Sequence, residues 1–171
     1  MVNNNDITTV SNSSPIINLS KTSCLFLFEK IFKKVFIPVA VYNELVVKGS
    51  EKEFSDDIIS LIESKVLIIT EVKDKPLVKA LNKDLDLGES EAIVLALEKK
   101  AELILLDEIE AREMASIYNL NKTGFIGVLV KAKKMNLITS VKKHLDLAIE
   151  KGFWINESLY NKILSHLSDW V

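Results

Sequence analysis

Short runs of β-branched and aliphatic residues recur along this chain, always separated by long stretches with helical periodicity. ITTV (7–10), VFI (35–37), VLIIT (66–70) and LILL (103–106) read as strands. Strands with a helix between them are too far apart in sequence to close as tight hairpins. They pair in parallel instead, with the connecting helices covering the sheet. The expected fold is therefore α/β, a three-layer α/β/α sandwich around a mostly parallel sheet of four or five strands. NKT (121–123) is the candidate fifth strand, at an edge.

The intervening segments supply the helices. PIINLSK and CLFLFEKIF read as helical, and FSDDIISLIES (54–64) has Phe54, Ile58, Ile59, Leu61 and Ile62 at helical spacing. Pro38 opens a helix through VAVYNELVV that Gly49 closes, with proline at the start and glycine just past the end. PLVKALNKDL is a short helix, EAIVLALEKK a mostly buried one, and 108–118 another. Further helical stretches begin near Gly124, Thr139 and Asn156, the last amphipathic and expected to pack on the domain. At 171 residues, with 48% hydrophobic residues and only 5 glycines and 3 prolines, the chain suits one domain without long linkers. We expect a core at about 7–155 and a C-terminal helical extension at about 156–171.

Composition removes several function classes. A formal charge of −2 argues against a broadly basic nucleic-acid surface, while leaving room for a local one. Cys24, the single cysteine, lies in the apolar run CLFLF and reads as a buried, inert thiol; no intrachain disulfide is possible, which fits a reducing cytoplasm. The start MVNNNDITTV lacks the regions of a signal peptide, and no apolar run reaches the roughly 18 residues of a membrane span. The expectation is a soluble cytoplasmic protein with no membrane partner. Neither GxGxxG nor a Walker-type glycine loop occurs. His144 and His166 have no nearby Ser or Cys motif that would suggest a hydrolase triad.

In such a sheet, ligands bind beyond the carboxyl ends of the strands. Asn12 ends the first strand; Asp107 ends LILL, with Glu108 beside it. The helix carrying Glu89 and Glu91 precedes LILL and so begins at the same edge. Glu44 lies about two turns beyond Pro38 and can lean over it. Each residue also has an ordinary structural reading. Asn12, Ser13 and Ser14 suit a helix N-cap, Asp107 suits the N-cap of EIEAREMA, Glu89 and Glu91 favour a helix N-terminus, and Glu44 suits a solvated face. Their convergence points further, because crowded carboxylates repel unless a cation or proton offsets them. Hard divalent ions such as Mg²⁺ take oxygen ligands of this kind.

VSNSSPIINLSK, FIPVAVYNELV, DLGESEAIVLALE, AELILLDEIEAR and TGFIGVLVKAKKMNLI, in this order from about residue 9 to 155, resemble a PIN-domain protein. More narrowly they resemble the prokaryotic branch catalogued as DUF3368. The resemblance implies a metal-dependent ribonuclease, many of whose relatives act as toxins in toxin–antitoxin pairs. It implies an acidic cluster at Asn12, Glu44, Glu91 and Asp107, with Glu89 and Glu108 as neighbours that add or substitute. Ser13 or Ser14 matches the hydroxyl residue after the first acid. An amide at Asn12 replaces a carboxylate, so metal should be held more weakly there.

On this reading Mg²⁺ or Mn²⁺ sits among Glu44, Glu91 and Asp107, with Glu89 and Glu108 in reserve. Asn12 and Ser14 orient water or phosphate, and Arg112 and Lys131 contact the RNA backbone. The implied partners are RNA, a cognate antitoxin protein and a second copy in a homodimer. The competing reading is a PIN-like RNA- or protein-binding module with weak or no nuclease activity, and Asn12 is its warrant. An aspartyl-phosphate phosphatase, also built on a parallel sheet, needs a carboxylate nucleophile after strand one. Asn12 cannot serve as one.

Overall fold

The computed structural model describes residues 7–47 and 55–168. The helix closure expected at Gly49, the helix start at Phe54 and the last residues of the C-terminal extension lie outside this range. Five strands form one parallel sheet: β1 (Thr9–Ser11), β2 (Val35–Pro38), β3 (Leu67–Thr70), β4 (Leu103–Leu105) and β5 (Lys122–Thr123). Their order is β3-β2-β1-β4-β5, so β1 is central and NKT is the edge strand expected of it.

Side chains alternate across the sheet and divide the core in two. Val35, Ile37 and Leu105 face one layer, which contains α1 (Ser13–Lys21), α3 (Ser55–Glu63), α7 (Phe125–Lys134) and α8 (Val141–Glu150). Val10, Phe36 and Ile104 face the other, formed by α4 (Lys75–Leu81), α5 (Leu87–Glu98) and α6 (Ile109–Ile117). The three-layer α/β/α expectation holds. Helix α5 is buried without interruption from Gly88 to Ala96, because it packs against β1, β2 and β4 and against neighbouring helices as well.

Several boundaries differ from the sequence reading, each for a local reason. Strand β1 covers Thr9–Ser11, two residues later than ITTV begins. The CLFLFEKIF stretch is helical over residues 26–32, widening into a π-helical turn at Phe28–Phe32; the positive φ of Ser23 (56°) and Lys33 (61°) keeps it separate from α1 and ends it. Pro38 ends β2 instead of opening the next helix: its extended ψ of 165° makes it the N-cap of α2 (Val39–Tyr42). That helix widens at once into a π-helical turn, Asn43–Val47, which carries Glu44.

The final helix, α9 (Glu157–Ser168), packs on the domain through half-buried Tyr160 and Ile163. The segment before it is anchored by Phe153, whose ring meets Phe125 edge-on at 5.1 Å and 68°. Phe125 is fully buried at the start of α7 and so supports both that helix and the C-terminal segment. Phe125→Ala should lower unfolding free energy by about 3–5 kcal/mol. It should also speed limited proteolysis near residues 153–156; urea titration and a timed digest measure the two effects, and a loss below about 1 kcal/mol would contradict this role for the ring.

Candidate functional site

Because every strand runs the same way, the chain leaves the sheet repeatedly along one edge. Asn12 leaves β1 there in extended conformation (φ −78°, ψ 175°), and its N–H donates to the Leu105 carbonyl at 3.1 Å. It occupies the N-cap position of α1 but its side chain caps nothing. Asn12 is 1% exposed, and its Oδ1 is buried with no hydrogen-bond partner. An N-cap explains its backbone and leaves its amide unexplained.

Asp107 leaves β4 beside it. The N-cap of α6 is Glu108, so Asp107 does not cap that helix as the sequence suggested. Its carboxylate reaches instead to α7, where the Phe125 N–H donates to Oδ1 at 2.7 Å, and to α1, where Asn18 Nδ2 donates to Oδ2 at 2.8 Å. Burial pushes the Asp107 pKa up to about 6; Phe125 N–H and Asn18 oppose the shift, Glu108 adds to it, and Arg112 opposes it. Glu108 accepts the Ser14 hydroxyl on Oε1, while its Oε2 is buried without a partner. Ser14 and Asn18 stand four residues apart on one face of α1, so a single helix face holds both acids. Asn18 had no place in the sequence reading; its spacing from Ser14 was the available signal.

The acids of α5 divide between two tasks. Glu89 closes a capping box with Asp86: the Glu89 N–H donates to Asp86 Oδ1 at 2.7 Å, and the Asp86 N–H donates to Glu89 Oε2 at 3.0 Å. Burial pushes its pKa up to about 7; the Asp86 backbone bond opposes this, and the charges of Asp86, Glu108 and Glu110 add to it. Glu91 instead accepts the Ala40 N–H at the start of α2 (3.0 Å), and its other oxygen lies 3.6 Å from Lys75 Nζ. Glu44 lies against Gly88, where an added Cβ would come within 2.5 Å of its Oε1. The α2 segment and α5 thus pass in opposite senses, Ala40 beside Glu91 and Glu44 beside Gly88.

The structure brings together Asp107, Glu108, Ser14 and Asn18, with Glu89 within electrostatic reach of Glu108. Glu91 is turned toward α2 and Lys75. Among the described residues, no three acidic, histidine or cysteine side chains stand close enough to hold one ion between them. Arg112 adjoins the group: its Nη1 donates to the Leu106 carbonyl at 2.8 Å, near Asp107. Lys131 lies elsewhere, 5.8 Å above the Phe32 ring, toward the amino end of β2.

The parallel three-layer α/β/α fold with acids at its carboxyl edge fits a PIN-type, nuclease-like module. The sequence model of the DUF3368 family, described as a PIN domain, matches residues 8–169, and the chain belongs to this PIN-domain family. No curated protein matches the sequence. PIN domains bind nucleic acids, often pair with antitoxins, and generally use divalent metal ions. The donors here suit such an ion: all are oxygens, and Asn12 Oδ1 and Glu108 Oε2 are buried without partners. They suit a hydrated divalent ion that keeps water and phosphate among its ligands better than one held in a closed carboxylate cage. Among the described residues, no helix is long and apolar enough to cross a membrane.

Two tests follow from this geometry. Both raised acids favour the folded state when protonated, since their values of about 7 and about 6 exceed the ordinary 4.5 and 3.8. Their contribution to stability is therefore full below about pH 4 and is lost as pH rises through 6 and 7. Glu89→Gln keeps an oxygen for the Asp86 N–H and should flatten that loss in urea midpoints measured from pH 4 to 8; an unchanged slope would contradict it. Gly124→Ala should destabilise by about 1–3 kcal/mol, because the new Cβ would overlap the Asp107 carboxylate and lie 2.7 Å from the Leu106 carbonyl. Thermal melting measures this, and a neutral result would mean that the acid moves aside freely.

Proposed function

We propose that the protein is a divalent-metal-dependent endoribonuclease of the PIN type, acting as the toxin of a toxin–antitoxin pair. The observation that carries this reading is the pair of unpartnered buried oxygens, Asn12 Oδ1 and Glu108 Oε2, at the edge where Asp107 stands. Desolvating a polar oxygen without a partner costs about 1–3 kcal/mol, and a site that awaits a cation accounts for both. Asn12, Asp107 and Glu108 would hold Mg²⁺ or Mn²⁺, with Glu44, Glu89 and Glu91 supplying further negative charge along the rim. When bound, the ion supplies Lewis-acid chemistry, activating water and offsetting charge on the scissile phosphate.

The chain's own residues then have distinct parts. Asn18 and the Phe125 N–H hold the Asp107 carboxylate in one orientation, and Ser14 does the same for Glu108. Preorganised oxygens need no rearrangement when substrate arrives. Arg112, fastened to the Leu106 carbonyl, offers its remaining donors to an RNA phosphate. Lys131 would contact RNA only on a strand that reaches the opposite edge of the sheet. Cytoplasmic residence, an antitoxin partner and a homodimer belong to the same proposal, supported by family membership.

A second reading has its own observation. Asn12 carries no charge and Glu91 is already engaged by Ala40 and Lys75, which favours a module that binds RNA or a protein and cleaves weakly or not at all. Asn12→Asp separates the two. Without metal it should lower the melting temperature by like-charge repulsion, and Mn²⁺ should restore the loss because an ion bound only by the folded state stabilises it. On the nuclease reading the same change raises Mn²⁺-dependent cleavage of single-stranded RNA, and Asp107→Asn lowers it by at least about ten-fold. No Mn²⁺ effect on melting and no cleavage by any of the three proteins would leave the binding module.

A further inference from the structure

Asp107 and Arg112 also line a groove of about 420 Å³ between α6, the start of α7 and the segment leading into α9. We infer that this groove is a subsite for one unpaired RNA base, stacked on Trp154, with the neighbouring phosphate held by Arg112 and Lys122. The inference rests on reading the acidic rim as an RNA site and adds where the strand lies.

Trp154 is 76% exposed, although it is the bulkiest apolar side chain near the site. Its position is held from behind. Phe153 packs edge-on against Phe125, and Phe125 N–H bonds Asp107, so the backbone that carries Trp154 is anchored close to the acid through its neighbour Phe153. Exposure alternates through Phe153, Trp154, Ile155 and Asn156, as in an extended segment that presents one side to solvent. Ile109, 63% exposed, lines the same groove. Aromatic and aliphatic faces in one groove suit a planar, apolar-faced group.

Charge selects which planar group. Among the described residues lining the groove Asp107 is the one acid, against Arg112 and Lys122, in a protein whose formal charge is −2. A local cationic wall beside an aromatic platform is the arrangement by which proteins hold single strands, the base stacking while the backbone meets positive charge. Beyond Ile155 lie Glu150, Glu157 and Asp146, the last paired with Lys142, a side less favourable to a polyanion than the groove. Its volume lies within the range of sites that hold one small ligand moiety.

Binding can be read apart from cutting. A fluorescein-labelled single-stranded hexaribonucleotide is titrated in EDTA, which stops metal-dependent cleavage, and followed by anisotropy. Trp154→Ala should weaken binding about ten-fold and Trp154→Phe less than about two-fold, with unchanged melting temperatures. Lys122→Ala should lower the slope of log Kd against log salt by about one. In a Trp170→Phe background, the emission of Trp154 should be quenched by the same RNA. Wild-type protein that does not bind the hexanucleotide, equal loss in the Ala and Phe variants, or no loss in either overturns the subsite. So does sedimentation in which a second copy forms a dimer that Trp154→Ala abolishes, because the groove is then its interface. Cleavage that survives with binding indifferent to Trp154 removes the subsite and leaves the nuclease reading. Trp154-dependent binding with no cleavage in Mn²⁺ does the reverse.

Discussion

The central position of β1, paired in parallel with β2 on one side and β4 on the other, governs the rest of the molecule. Parallel pairing sends every strand out at one edge, so the helices that follow begin there with unpaired N–H groups. Carboxylates meet that demand. Glu91 serves the start of α2, Asp86 and Glu89 serve α5, and Asp107 serves α7. Negative charge at helix N-termini is favourable, which explains why acids distant in sequence gather along one rim.

The same gathering creates an electrostatic debt. Burial and mutual repulsion hold Glu89 at about 7 and Asp107 at about 6, so the rim favours a proton or a cation over bare charge. Small residues make the crowding possible. Gly124 lets the Leu106–Asp107 turn approach α7, and Gly88 leaves space for the Glu44 carboxylate. Ser14 and Asn18 then fasten the exit of β4 to the helix that leaves β1. Stability and chemistry draw on one set of groups here, and a substitution in it will affect both.

Much of this was legible before any fold was known. VFI, VLIIT and LILL carry β-branched and aliphatic runs too short for helices, and the helical spacing between them forces parallel crossovers. Asn12, Asp107 and Glu108 follow strands, and their edge follows from strand direction alone. Less legible were the assignments that depend on which helix end a carboxylate reaches. Asp107 suits the cap of its own following helix equally well by sequence, yet Glu108 takes that position and Asp107 accepts the Phe125 N–H of α7. Glu91 likewise meets partners far away in sequence, Ala40 and Lys75.

The sequence by itself determined the layers, the sheet direction and the edge at which acids collect, because periodicity and connection length are local properties of the chain. Tertiary structure decided the partners. It placed Asn18 on Asp107, left the Asn12 amide oxygen buried and unsatisfied, carried Lys131 toward the opposite edge and set Trp154 beside the site. Such contacts join residues far apart in sequence, and no local pattern encodes which of several similar donors will arrive within 3 Å of a given oxygen.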